Sequence, residues 1–281
     1  MRIILNNVTP DGNVSLTGYI QDPSVEMKAV AKKPAVLICP GGAYLFTSDR
    51  EAEPIALAYA AKGFQAFVLR YSVGKEACYC KPLQEASLAI KLMREHADTW
   101  HIDPNRIASV GFSAGGHLAA WVGLCGEHKP NAMILGYPAL ELWKPGDEPG
   151  VNPLQQSLLG DDYQEGQAEV LNLAMHVTNT AIPMFCWHTQ EDVLVSSQSV
   201  LRFARAYADS GALYELHIFQ QGEHGLSLGT YITANGRKAM TNTTVAKWLD
   251  MSVDWFFRNF GEPEIVDKPY EMPDFLQNIV K

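Results

Sequence analysis

Nowhere does this sequence gather lysine and arginine into a basic patch. Its 22 basic residues are outnumbered by 31 acidic ones, for a formal net charge of −9. An acidic surface repels polyanions, which excludes nucleic acid and anionic membrane as expected partners. Long apolar runs are missing too. None approaches the roughly 20 residues that a membrane-spanning helix requires. The opening run Ile3-Ile4-Leu5 is interrupted by Asn6 and Asn7, too soon for a signal-peptide core. The expectation is a cytoplasmic protein.

Cysteine is scarce. Cys39, Cys78, Cys80, Cys125 and Cys186 are odd in number and scattered, which argues against a disulfide framework. Cys78 and Cys80 flank one tyrosine, and no second pair completes the four ligands of a structural zinc site. Free thiols, no metal and no cofactor are expected. Internal repeats and low-complexity segments are also lacking.

What is present is a core-forming composition. Across 281 residues, 47% are hydrophobic and 19% charged, enough apolar material for one continuous core, so residues 1–281 are expected to form one domain. Val14 to Ile20 alternates apolar with polar residues, the pattern of a half-exposed antiparallel strand. Ala35–Cys39 is apolar throughout, and a similarly continuous character recurs at Ala66–Leu69, Ile107–Val110, Ala132–Leu135 and Pro183–Trp187, with Leu213–Phe219 as the last strand. Continuous apolar runs suit strands buried on both faces of a parallel sheet.

Helical periodicity fills the gaps. Leu83, Ala86, Ile90 and Met93 share one helix face, as do Val200, Phe203, Ala204 and Tyr207, and Trp248, Met251 and Trp255. Pro54 and Pro82 stand where helices can start, Gly63 and Gly211 where they can stop. The alternation predicts a doubly wound α/β fold, its sheet mostly parallel after antiparallel N-terminal strands, with helices on both faces. Two stretches break the rhythm: residues 140–182, a surface excursion or a lid, and an extended C-terminal tail at 261–281.

The chemistry concentrates at Gly111-Phe112-Ser113-Ala114-Gly115-Gly116, directly after the Ile107–Val110 run and before a small-residue helical segment. Strand, sharp turn and helix in that order form a nucleophile elbow, which projects the serine from the carboxyl end of the sheet. A serine hydroxyl needs a base to take its proton. Of the eight histidines, His224 lies in a glycine-flanked loop, Gly222-Glu223-His224-Gly225, after the last strand and before the final helix. His224 is the candidate base and His188 the second choice. The acid is expected in the loop after the penultimate strand, where Asp192 is preferred over its neighbour Glu191 because its shorter side chain precedes the apolar anchor Val193-Leu194-Val195. An oxyanion hole needs backbone N–H groups aimed at developing negative charge. Ala114 supplies one, and the loop Cys39-Pro40-Gly41-Gly42-Ala43-Tyr44 another.

Several strings carry a resemblance: Pro40–Tyr44, Leu69-Arg70-Tyr71-Ser72, Asp103–Ile107, Gly111–Ala119, Trp187-His188-Thr189 with Asp192, and Glu223-His224-Gly225. Together they resemble the bacterial esterase/lipase branch of the α/β-hydrolases, whose members are often labelled acetyl esterase or acetylxylan-esterase-like and sometimes misnamed endoxylanase. The resemblance implies an α/β-hydrolase fold, a catalytic triad of Ser113, Asp192 and His224, and an oxyanion hole at Gly42, Ala43 and Ala114. Pro40 stands where related esterases and formamidases of the hormone-sensitive-lipase type carry histidine, and Ala43 where a third glycine is common. The first difference argues against the formamidase branch, because proline has no N–H to donate.

The expected activity is hydrolysis of short-chain acyl esters, acetyl-type and including acetylated sugars, with a small-molecule ester as the partner. No helical segment before Ala35 builds an N-terminal cap, and the excursion contains polar stretches at 144–148 and 161–165, both unsuited to a fatty chain. An amidase, peptidase or formamidase with the same triad is the alternative of the same class. A non-catalytic binding protein on a hydrolase scaffold is the alternative of another. Oligomeric state stays open.

Overall fold

The computed structural model describes residues 1–24, 26–27, 30–142, 158–159, 167–262 and 272. Its centre is an eight-stranded sheet. The strands are β1 (Arg2–Asn7), β2 (Ser15–Ile20), β3 (Lys33–Cys39), β4 (Gln65–Arg70), β5 (Ile102–Phe112), β6 (Ala132–Gly136), β7 (Met184–Thr189) and β8 (Tyr214–Phe219). They lie in the order β1-β2-β4-β3-β5-β6-β7-β8. β2 pairs antiparallel with both β1 and β4, and every later pairing is parallel.

Why the middle strands read as unbroken apolar runs is plain from β3. Leu37 and Cys39 enter the core on one face, while Val36 and Ile38 enter the core on the other. Both faces are covered by helices, so side chains of either parity are mostly apolar. Helices α2 (Lys81–Glu95), α3 (Ala114–Cys125) and α4 (Ser197–Ser210) cover the first face, and α1 (Glu53–Ala61) and α5 (Trp248–Phe260) the second. Ala86, Ile90 and Met93 of α2 and Val200, Phe203 and Tyr207 of α4 are buried, matching the periodicity of those segments. Pro54 and Pro82 occupy the first turns of α1 and α2, where a missing N–H is harmless. Gly211 closes α4 in the left-handed conformation.

The fold adds three things to the sequence reading. The strand at Val14–Ile20 lies one in from the edge; β1 forms the edge itself, with Ile3 and Leu5 exposed, and so short and half-polar a run carries no periodic signal of its own. The excursion is tied to the core by Leu140, Leu142, Leu158, Leu159, Leu171 and Leu173, all buried. Its polar stretches at 144–148 and 161–165, and most of the tail at 261–281, lie outside the described residues. Finally, all five cysteines are free. Cys39 and Cys186 are buried, and burial alone pushes the Cys39 thiol up to about 12. Among the described residues no helix is long and apolar enough to cross a membrane, and no cluster of side chains is arranged to hold a metal.

Candidate active site

Ser113 sits between β5 and α3 with φ +53° and ψ −121°. This is a conformation that a non-glycine residue adopts only when its surroundings enforce it. They do so here through both backbone ends: the Ser113 N–H donates to the Gly136 carbonyl at 3.1 Å, and its own carbonyl accepts from Ala139 at 3.0 Å and His117 at 3.1 Å. The sharp turn also needs strand and helix to touch. A Cβ on Gly111 would lie 2.1 Å from the Gly115 carbonyl oxygen, and one on Gly115 would lie 2.0 Å from that of Cys39. Only hydrogen fits at either position.

The turn aims Ser113 Oγ at His224, whose Nε2 is 2.9 Å away. On the far side of the ring, His224 Nδ1 meets Asp192 Oδ2 at 2.6 Å. The carboxylate is itself held: Oδ1 accepts the backbone N–H groups of Leu194 and Val195, each at 2.9 Å. Burial would raise the Asp192 carboxyl, but the bond and charge of His224 and the Val195 amide outweigh it, leaving it below the usual range. Asp192 therefore stands ionised behind the imidazole, which fixes Nδ1 as the protonated nitrogen and frees Nε2 to accept from Ser113.

The neighbours of these residues sort themselves. Glu191 is exposed and accepts the Gly222 N–H at 3.1 Å, outside the relay. His188 is fully buried behind Asp192, its Nε2 3.9 Å from Oδ2 and without a hydrogen-bond partner among the described residues. Burial holds it below the ordinary histidine range, so it is neutral. It does not reach Ser113. The His224 loop rests on an aromatic bed: Trp187 and Trp248 stack at 5.5 Å, the Trp248 indole N–H donates to the Ser227 carbonyl at 2.9 Å, and the Tyr137 ring meets His224 edge-on at 5.0 Å. Truncating one of these rings would cost about 3–5 kcal/mol.

Opposite lies the loop after β3. Gly42, Ala43 and Tyr44 all take positive φ, at 129°, 56° and 56°. A Cβ on Gly42 would lie 2.1 Å from the Phe46 carbonyl oxygen. The Leu45 and Phe46 amides turn back to Gly42 O, while the amides of Gly42 and Ala43 pair with nothing among the described residues. Ala114, first residue of α3, has a free N–H by its place in the helix. The loop is braced from beneath. The Tyr71 hydroxyl donates to the Pro40 carbonyl at 2.6 Å, and the Tyr44 hydroxyl to His117 Nδ1 at 2.9 Å. His117 Nε2 donates in turn to the Leu171 carbonyl at 2.9 Å. Burial drives His117 down to about 4, so the ring stays neutral and can both accept and donate. It is a strut between the loop and the excursion.

Sequence reasoning did not single out Glu51, Arg50 or Tyr137. Glu51 is buried at the end of the short 3-10 turn Asp49–Glu51. Its Oε2 accepts the Gly41 N–H at 2.8 Å and its Oε1 the Tyr137 hydroxyl at 2.6 Å. Arg50 donates to the carbonyls of Gly225 and Thr233.

Residues 22–206 match the BD-FAE family. The chain is 26% identical over 80% of its length to an acetylxylan esterase of Xylanibacter ruminicola, of which it covers 46%. It spans about a third to a half of the curated relatives it matches. Among solved structures, an α/β-hydrolase enzyme from a Medee basin deep-sea metagenome library superimposes with a TM-score of 0.79 at 40% identity, covering 92% of this chain and 97% of that one. An acetyl ester-xyloside bifunctional hydrolase from Caldicellulosiruptor lactoaceticus gives 0.73 at 31% identity, covering 88% of each chain.

Proposed function

The chain belongs to the BD-FAE family, within the esterase branch of the α/β-hydrolases, and we propose that it is a serine carboxylesterase acting on short-chain, acetyl-type esters through an acyl-enzyme. The observation that carries this reading is the unbroken hydrogen-bond line Ser113–His224–Asp192, at 2.9 and 2.6 Å, on a serine held at positive φ. In this reading Ser113 Oγ bonds to the ester carbonyl carbon as its proton passes to His224 Nε2. The carbonyl π pair moves onto oxygen, facing the amides of Gly42, Ala43 and Ala114. Collapse breaks the bond to the alkoxide, which leaves with the proton from Nε2. Water then enters by the same route, releasing the acid and restoring Ser113. Asp192 keeps the imidazolium oriented and offsets its charge.

The acetyl preference draws on the names of two similar proteins, an acetylxylan esterase and an acetyl ester-xyloside hydrolase. It draws also on the polar excursion, because each methylene of a longer chain must find about 0.8 kcal/mol of apolar burial to bind well. The test is kcat/KM on p-nitrophenyl esters from two to twelve carbons, beside labelling by a fluorophosphonate. A maximum at acetyl to butyryl is expected, with Ser113→Ala lowering kcat by about 10⁴-fold and abolishing the label. An optimum at eight carbons or beyond would overturn the short-acyl reading alone. Ser113→Ala activity within tenfold of the parent would overturn the nucleophile.

A further inference from the structure

Two loops must hold their places for such a site to work: Pro40–Tyr44, which carries the unpaired amides, and Gly222–Ser227, which carries His224. They come from distant parts of the chain, and between them lies one buried carboxyl group. Glu51 is 5% exposed. Its side chain bonds to one loop directly, through the Gly41 N–H, and to the other through Tyr137, whose hydroxyl donates to Glu51 and accepts the Ser227 N–H at 2.9 Å. The same turn reaches the second loop again, since Ser227 Oγ donates to the Arg50 carbonyl at 2.6 Å and Arg50 to Gly225 O at 2.8 Å.

The fit at Gly41 is close. A Cβ there would lie 2.6 Å from Glu51 Oε2, 2.7 Å from the Phe112 carbonyl oxygen and 3.1 Å from Ser113 Cβ. The loop backbone thus lies directly on the carboxylate at the point nearest the serine. Each oxygen of Glu51 accepts from a donor, an arrangement that suits the ionised form. Burial opposes this and raises the carboxyl, while Tyr137, Gly41, His224 and Arg50 oppose the rise. A buried negative charge near a catalytic imidazole is costly to the fold and favours the imidazolium.

We propose that Glu51 is a positioning residue for the reaction, clamping the oxyanion loop through Gly41 and the His224 loop through Tyr137, and that its charge adds to that of Asp192 in stabilising protonated His224. This rests on the esterase reading of the site. Among the described residues, the charged and titratable groups facing His224 and Glu51 include Asp192 and His188 from β7 and its loop, Arg50 from the turn, Tyr71 from the segment after β4, and Tyr137 from the loop after β6.

The test uses the full chain with Glu51→Gln and Tyr137→Phe, their active sites counted by fluorophosphonate burst so that misfolded protein drops out. Per active site, Glu51→Gln is expected to lower kcat by about 10- to 100-fold with KM within about threefold. The acid limb of its kcat/KM profile should move to lower pH by about half a unit or more, because a negative charge near the base is gone. Tyr137→Phe should lower kcat several-fold with little movement of the acid limb, since the charge remains. If Glu51→Gln fails to fold, Tyr137→Phe decides, and parental kcat in that variant overturns the proposal. Losses confined to melting temperature or to the fraction of active sites, with kcat and acid limb unchanged, also overturn it. A parent without ester hydrolysis or phosphonate labelling brings down the esterase reading, and this inference with it; an active parent with indifferent variants brings down this inference alone.

Discussion

The loop after β7 and the turn before α1 each bury a carboxylate beside His224, and the two sites balance their charges in opposite ways. Asp192 gives one oxygen to the imidazole and the other to two backbone amides, and these bonds hold it below the usual carboxyl range against its burial. Glu51 is buried, has one donor on each oxygen and no cation in direct contact among the described residues, and it is raised. Burial is the largest influence at both. What separates them is the number and charge of the donors, so a buried acid's behaviour follows from its partners rather than from its depth.

The comparison breaks first at Asp192. Asp192→Asn should cost about 10³–10⁴-fold in kcat, because an amide facing Nδ1 favours the wrong tautomer of His224. A loss under tenfold would mean that the acid lies elsewhere. A gentler experiment sharpens the contrast through thermal melts between pH 3 and pH 8. The folded-state value of Asp192 is depressed, so its contribution to stability is present above the unfolded value near 3.9 and is lost as pH falls through the folded one. The deficit of Asp192→Asn should therefore shrink toward pH 3. Glu51 runs the other way. Its folded value is raised, so the native state holds the proton more tightly than the unfolded chain, and stability is lost as pH rises from the unfolded value near 4.3 through the folded one. The deficit of Glu51→Gln should shrink toward pH 8. Parallel slopes for the two variants would contradict the opposite balances. The smallest effect is expected at Glu191→Gln, whose carboxylate is exposed and, among the described residues, accepts from Gly222 alone: kcat within about threefold. A larger loss there would give Glu191 a share in orienting His224.

How much of this was legible beforehand follows from the range of the contacts. The parallel strands could be read because burial on both faces leaves a continuous apolar string, and Ser113 because strand, glycine turn and helix are adjacent in the chain. Asp192 and His224 could be nominated because each follows a strand parallel to β5, whose carboxyl end lies at the same end of the sheet. Glu51 had no such address. In Asp49-Arg50-Glu51-Ala52-Glu53-Pro54 it looks like one of several acids at a helix start, where solvated carboxylates are common. Its partner Tyr137 lies 86 residues away. The role of His117 was hidden for the same reason, since its bonds to Tyr44 and Leu171 span 73 and 54 residues. β1 escaped because an edge strand with one exposed face needs little apolar pattern. The leucines of the excursion are spaced too irregularly to announce that they enter the core.

The hydrogen bond between Ser113 and His224 closes a loop of 111 residues, and that span bears on the order in which the molecule can assemble. The elbow is local and can form as soon as β5 and α3 meet. The imidazole stands after β8, three strands along the sheet from β5, so bringing it to the serine carries the closure entropy of a long-range contact. On the proposed reading, a chain that has formed the elbow but not yet docked β8 displays a shaped serine without its base.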